Sequence, residues 1–198
     1  NKNIWYESIT PIDTNKGAVL LFMGISNDAL GWPQKFIDEL VDSGYQVIRY
    51  DYRGTGLSDW VENWKENPYS LEDLANDARI ILDTLKIEKV HLIGVSLGGM
   101  VAQEFAIRNT GRTLTLTAMM SSGNIVDKEL PKISKIVVFD LIKIGIKYGI
   151  ISSEKNIIKL HLAARLILRG KAQYDIDVKG IAEQVLYNLR NRKGYNPK

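Results

Sequence analysis

Apolar residues along this chain fall into two patterns. Dense short runs at 4–9 (IWYESI), 18–22 (AVLLF), 46–50 (QVIRY), 90–93 (VHLI) and 113–119 (TLTLTAM) have the length of β-strands. Between them, apolar residues recur at helical spacing. Phe36, Ile37, Leu40 and Val41 share a face within 32–42, and Ser43-Gly44 closes that helix. Leu74, Ala78, Ile81, Leu82 and Leu85 share another, opened by a capping-box-like Ser70-Leu71-Glu72-Asp73. Strand, helix and strand in repetition with short links predict an α/β fold with a mostly parallel, doubly wound sheet.

The pattern changes at Pro131. Residues 132–148 read as a mostly apolar helix with Lys132, Lys135, Asp140, Lys143 and Lys147 along a stripe, and 156–169 and 176–190 as further helices with no strand between them. Those charges, and the length, argue against a membrane span. The division predicted is a core at 1–126 followed by a helical cap or lid insertion at 127–198. The apolar faces of the cap can form its own core and the wall of a substrate pocket; a surface-bound amphipathic helix is the alternative.

Composition narrows the chemistry. The 198 residues contain no cysteine, which excludes disulfides, a thiolate nucleophile and zinc-thiolate sites. The net charge of +3 conceals an asymmetry: residues 1–110 hold 10 Lys/Arg against 16 Asp/Glu, net −6, and residues 111–198 hold 16 against 7, net +9. A solvated helical face balanced by the acidic half accounts for this; an acidic partner or a membrane surface is the other reading. No nucleic-acid partner, metal or organic cofactor is implied. The chain begins at Asn1 without methionine, so its natural N-terminus is expected to be missing; no signal peptide is recognised, which predicts a cytoplasmic location.

The strongest chemical signal is HLIGVSLGG at 91–99. Gly94-Val95-Ser96-Leu97-Gly98 fits G-x-S-x-G, set between a buried strand and a helix, which is the context of a nucleophile elbow. The amide of Leu97 then lies at a helix N-terminus, where N–H groups favour a developing oxyanion. Met23-Gly24-Ile25-Ser26-Asn27 follows the second strand at its carboxyl end, the ligand-binding rim of open α/β sheets. The amide of Ile25 is the expected second oxyanion donor, with Gly24 permitting close approach. Ser121-Ser122-Gly123-Asn124, after the last strand, reaches the same rim. Asp51-Tyr52-Arg53-Gly54-Thr55-Gly56-Leu57-Ser58 lacks the lysine and spacing of a phosphate loop, and Asp51, Arg53 and Ser58 are expected to hold its shape by hydrogen bonds.

A serine needs a base and a group that orients the base. His91 sits inside the strand before the elbow and reads as a buried, satisfied histidine. His161 shares a helical face with Ile157, Ala164 and Leu168, and reads as a packed cap residue or as part of the pocket lining. Asp127 lies just past the strand that follows the elbow, from which an acid can orient a histidine.

The stretches LLFMGISNDALGWP (20–33), VIRYDYRGTGLS (47–58), SLEDLANDARIILDTL (70–85) and HLIGVSLGG (91–99) resemble the α/β-hydrolases, and in their order the aclacinomycin methylesterase type of esterase. That resemblance implies an α/β-hydrolase fold with a cap, Ser96 as nucleophile and Ile25 and Leu97 as oxyanion amides. It implies a small-molecule carboxylic ester substrate cleaved through an acyl-enzyme. A cofactor-free haloperoxidase or thioesterase shares the triad, and a non-catalytic hydrolase-like binding module remains the rival. Met23-Gly24 stands where such proteins normally have His-Gly. In the family, strands after the cap bring the triad aspartate and histidine. The expectation is therefore that 1–198 is a fragment, inactive by itself, and that its open sheet edge self-associates or pairs with a complementary C-terminal segment.

Overall fold

The computed structural model describes residues 2–25, 27–61, 63, 65–123, 128–130, 134–151 and 153–192. The described residues divide into two compact units, one made of those up to 123 and the other of those from 128 to 192.

The first unit is built on five strands: β1 (Tyr6–Ile9), β2 (Ala18–Phe22), β3 (Gln46–Tyr50), β4 (Val90–Val95) and β5 (Thr113–Met119), in the spatial order β1-β3-β2-β4-β5. The last four are mutually parallel, as predicted, with α1 (Gln34–Asp42), α2 (Leu71–Thr84) and α3 (Leu97–Arg108) as the crossovers. β1 runs antiparallel to β3, Tyr6 opposite Tyr50. Residues 10–17 contain no helix to carry the chain back across the sheet, so β1 cannot join the parallel set through a helical crossover.

β2 explains the dense apolar runs. Ala18, Leu20 and Phe22 face α2 and α3, while Val19 and Leu21 face the opposite cluster with Ile37, Trp32 and Val47. Both faces of the strand are covered, so its sequence cannot alternate with polar residues. Phe22 packs edge-on against Tyr50 at 5.7 Å and beside Phe105 of α3 at 6.3 Å, fixing α3 to the middle of the sheet. The capping box of α2 is present: Ser70 Oγ accepts from Asp73 N, and Asp73 Oδ2 accepts from Ser70 N at 2.8 Å. β5 pairs with β4 alone among the described strands, and its residues 114–118 are exposed.

The second unit contains α4 (Lys135–Gly149), α5 (Glu154–Arg169) and α6 (Val178–Asn191), α4 packing on α5 and α5 on α6. Ser153 caps α5 through the amide of Asn156, and Asp177 caps α6 through that of Gly180. Arg190 grips Glu154 with two 2.8 Å hydrogen bonds, tying α6 to the start of α5. Among the described residues, no helix is long and apolar enough to cross a membrane.

Candidate active site

Ser96 occupies the junction of β4 and α3 with φ 54° and ψ −122°. An L-residue held there costs about 1–3 kcal/mol, so the surroundings must impose it. Ser96 N donates to the Met119 carbonyl at 2.9 Å, Ser121 Oγ donates to the Ser96 carbonyl at 2.7 Å, and Gly99 N donates to the same carbonyl at 2.9 Å. The two glycines of the motif have a steric reason. A Cβ on Gly94 would overlap the Gly98 carbonyl, and one on Gly98 would overlap the Phe22 carbonyl. The helix therefore crosses the ends of β4 and β2 at backbone contact. The Ser96 side chain does not cap α3.

The loop after β2 comes up beside this turn. Gly24 is buried, and a Cβ built on it would lie 3.4 Å from Ser96 Cβ and 3.3 Å from the Val95 carbonyl oxygen. Ile25 follows, 69% exposed. Leu97 is the first residue of α3, where first-turn amides lack partners within the helix. Beyond Ile25 the loop is anchored twice. Asp28 Oδ1 accepts from Leu30 N at 3.1 Å, and Ala29 N donates to Asp51 Oδ1 at 2.9 Å.

Asp51 is fully buried and joins two loops, since Oδ2 accepts from Leu57 N at 2.9 Å. Ser58 Oγ donates to the Asp51 carbonyl at 2.8 Å and accepts from Trp5 N at 2.9 Å. These two residues shape the loop as expected. Arg53 does something else: it clasps Asp77 of α2, with Nε 2.8 Å from Oδ2 and a second bond from Nη2 to Oδ1. That hydrogen-bonded carboxylate raises the guanidinium pKa further. Arg53 thus fastens the loop to a helix and not to itself, because its long side chain reaches past the turn.

The remaining candidates do not assemble around Ser96. His91 is satisfied, its Nδ1 lying 2.8 Å from Thr115 Oγ1 and its ring edge-on to Tyr45 at 5.6 Å, but it is only half-buried, because the strand beside it, β5, is exposed. His161 belongs to α5 of the second unit, where burial, with Arg165 as a lesser cause, lowers its pKa to about 4. Asp127 lies outside the described residues. Among the described residues, no cluster of three or more His, Asp or Glu could hold a metal ion.

A family model described as the alpha/beta hydrolase fold matches residues 17–140. The chain belongs to the α/β-hydrolase fold family. Among curated hydrolases it is 36% identical over 124 residues to the rhodomycin D methylesterases DauP of Streptomyces sp. (strain C5) and DnrP of Streptomyces peucetius; the match covers 63% of this chain and 41% of each relative. It is 40% identical over 83 residues to 3-oxoadipate enol-lactonase 1 of Acinetobacter baylyi, covering 42% of this chain and 29% of that one. The chain thus matches about two-fifths or less of these relatives' lengths. The fold recurs in a carboxylesterase structure from Nitrososphaera gargenis, with TM-score 0.62 and 22% identity over 92% of this chain and 61% of that one. It recurs also in an esterase from Exiguobacterium antarcticum, with TM-score 0.60 and 16% identity over 94% and 69%.

Sequence reasoning singled out Ser96 but missed the two residues that hold its backbone from β5 and the turn after it. Met119 contributes a carbonyl, which every residue type possesses, so no sequence signal marks it. Ser121 lies in a serine pair on the expected rim, and only the fold shows which serine bonds the Ser96 carbonyl.

Proposed function

We propose that this protein is a serine hydrolase that cleaves a carboxylic ester of a small or medium-sized substrate. The observation that carries the reading is the backbone of Ser96: a non-glycine residue at φ 54° between strand and helix, clamped by three hydrogen bonds at its own amide and carbonyl. Such strain persists only where the surroundings impose it, and it clusters at active sites. The relatives, a methylesterase and an enol-lactonase, both act on acyl–oxygen bonds, which favours an ester over other hydrolase substrates.

In the mechanism proposed, Ser96 Oγ attacks the ester carbonyl carbon as its proton passes to a base. The carbonyl electrons move onto oxygen, which is held by the amides of Ile25 and Leu97. The C–O bond to the alcohol breaks, the alcohol leaves with the proton, and an acyl-enzyme remains. Water activated by the same base releases the acid. His91 is engaged by Thr115, and a histidine with pKa about 4, such as His161, is poorly matched to proton transfer near neutrality. Neither histidine of residues 1–198 is therefore assigned as the base, and no enzymatic turnover is expected from these residues alone.

The test is active-site labelling of the full-length protein with a fluorophosphonate. Ser96 is expected to carry the adduct, and Ser96→Ala to abolish it without changing the circular dichroism spectrum. Labelling that survives the substitution places the nucleophile elsewhere.

A further inference from the structure

On the side of the elbow away from Gly24, the end of β5 carries a second non-glycine residue at positive φ. Met120 has φ 49°, beside a Ser-Ser-Gly run that contains a residue able to take that conformation freely. Both neighbours of Met120 are bonded to the elbow: the Met119 carbonyl accepts from Ser96 N, and Ser121 Oγ donates to the Ser96 carbonyl. Residue 120 is thereby pinned next to the nucleophile. Met120 is 77% exposed.

The strand order β2-β4-β5 sets Ile25 and Met120 on opposite sides of Ser96, at the same carboxyl-end rim. Each is a large apolar side chain left open to solvent. The backbone conformation makes any residue but glycine, asparagine or aspartate unfavourable at 120. Neither the packing of β5 nor the conformation accounts for methionine at this position.

We propose that Met120 is a specificity-determining residue. Its side chain, with that of Ile25 across the elbow, walls the place where the hydrocarbon group next to the scissile carbonyl lies. The substrates favoured are esters whose group at that place is aliphatic or aromatic rather than charged. An unbranched thioether moulds itself to irregular apolar shapes, which suits a wall that accepts more than one such group. This assignment rests on Ser96 as the nucleophile.

The test compares kcat/KM for p-nitrophenyl acetate and p-nitrophenyl hexanoate in the full-length protein, Met120→Gly and Met120→Ser. Ile107→Ala, which trims an exposed apolar side chain in the last turn of α3, serves as the control. Truncation at 120 is expected to lower the hexanoate value roughly tenfold or more and to leave acetate within about twofold, because only the longer chain presents methylenes to the wall. The Tm of Met120→Gly is expected to hold or rise, since glycine adopts φ 49° without a Cβ penalty. An unchanged preference for hexanoate over acetate overturns the assignment. So does an equal loss on both esters with a lowered Tm, which makes Met120 a structural residue. If Ser96→Ala keeps its fluorophosphonate label, the nucleophile reading itself fails; if the label is lost and the chain-length preference of the Met120 variants stays intact, only this assignment fails.

Discussion

Replacing Asp51 by asparagine tests whether the loop bearing Ile25 is held in place from the neighbouring loop. The carboxylate is fully buried and accepts from Ala29 N and Leu57 N, both at 2.9 Å. Asparagine keeps one oxygen; its NH2 then faces an amide N–H, donor against donor. Hydrogen bonds to a charged group contribute about 1.5–3 kcal/mol each, and a stranded buried N–H costs about 1–3 kcal/mol. Asparagine also weakens the bond it keeps, but no longer buries a charge, which offsets part of the loss. The net is a destabilisation of about 2–3 kcal/mol, or a fall of roughly 4–12 °C in Tm at about 2–4 °C per kcal/mol for a chain of this size. The assay is thermal unfolding together with amide hydrogen exchange, in which the amides of residues 29 and 57 are expected to lose protection in Asp51→Asn. Ser58→Ala is the comparison. It removes the bonds at the Asp51 carbonyl and at Trp5 N but leaves both carboxylate contacts, so amide 29 should stay protected. Turnover in the full-length variant is expected to fall more than its substrate affinity, since a displacement of about 1 Å at a reacting centre can cost ~10²-fold. An Asp51→Asn protein with unchanged Tm and with both amides still protected refutes the reasoning.

Gly98→Ala should cost several kcal/mol, or leave no soluble protein, because its Cβ would overlap the Phe22 carbonyl at the centre of the sheet; a variant with wild-type Tm would contradict that packing. His161, held at about 4 by burial against an unfolded value near 6.5, takes up its proton first in the unfolded chain. Its stabilisation is therefore complete above about pH 6.5 and is lost as pH falls towards 4, a change of about 2–3 kcal/mol allowing for the exposed part of the ring. Denaturant unfolding at about pH 7 and about pH 4.5 should show this loss in the parent and a smaller one in His161→Gln; equal losses refute it.

What the chain revealed in advance, and what it did not, divides along a physical line. Positions where backbone contact dictates the residue were legible: Gly94 and Gly98 are demanded by carbonyls a Cβ would strike, and β2 is apolar throughout because both its faces are covered. Local hydrogen bonding was legible too, as in the Ser70–Asp73 box. Bonds between distant segments were not. Arg53 could have closed on its own loop, and only the packing of α2 beneath it brings Asp77 within reach. The direction of β1 was equally hidden, since a strand's residues do not state which way its neighbour runs.

Positive φ at Ser96 and at Met120 shows the same division within the site. The first is flagged by its glycines; the second has no pattern around it, because the bonds that impose it come from Ser96 itself. The two residues end adjacent parallel strands, and each restrains the other's backbone through the pair of hydrogen bonds between 96 and 119–121. Strain at one is therefore supported by the other, and both are supported by the ladder from Val90 to Val95 beneath them. Replacing Ser121 by alanine removes one of the clamps on the Ser96 backbone without touching the G-x-S-x-G motif. That is why Ser121, and not only the glycines of the motif, bears on how firmly Ser96 is held at the rim.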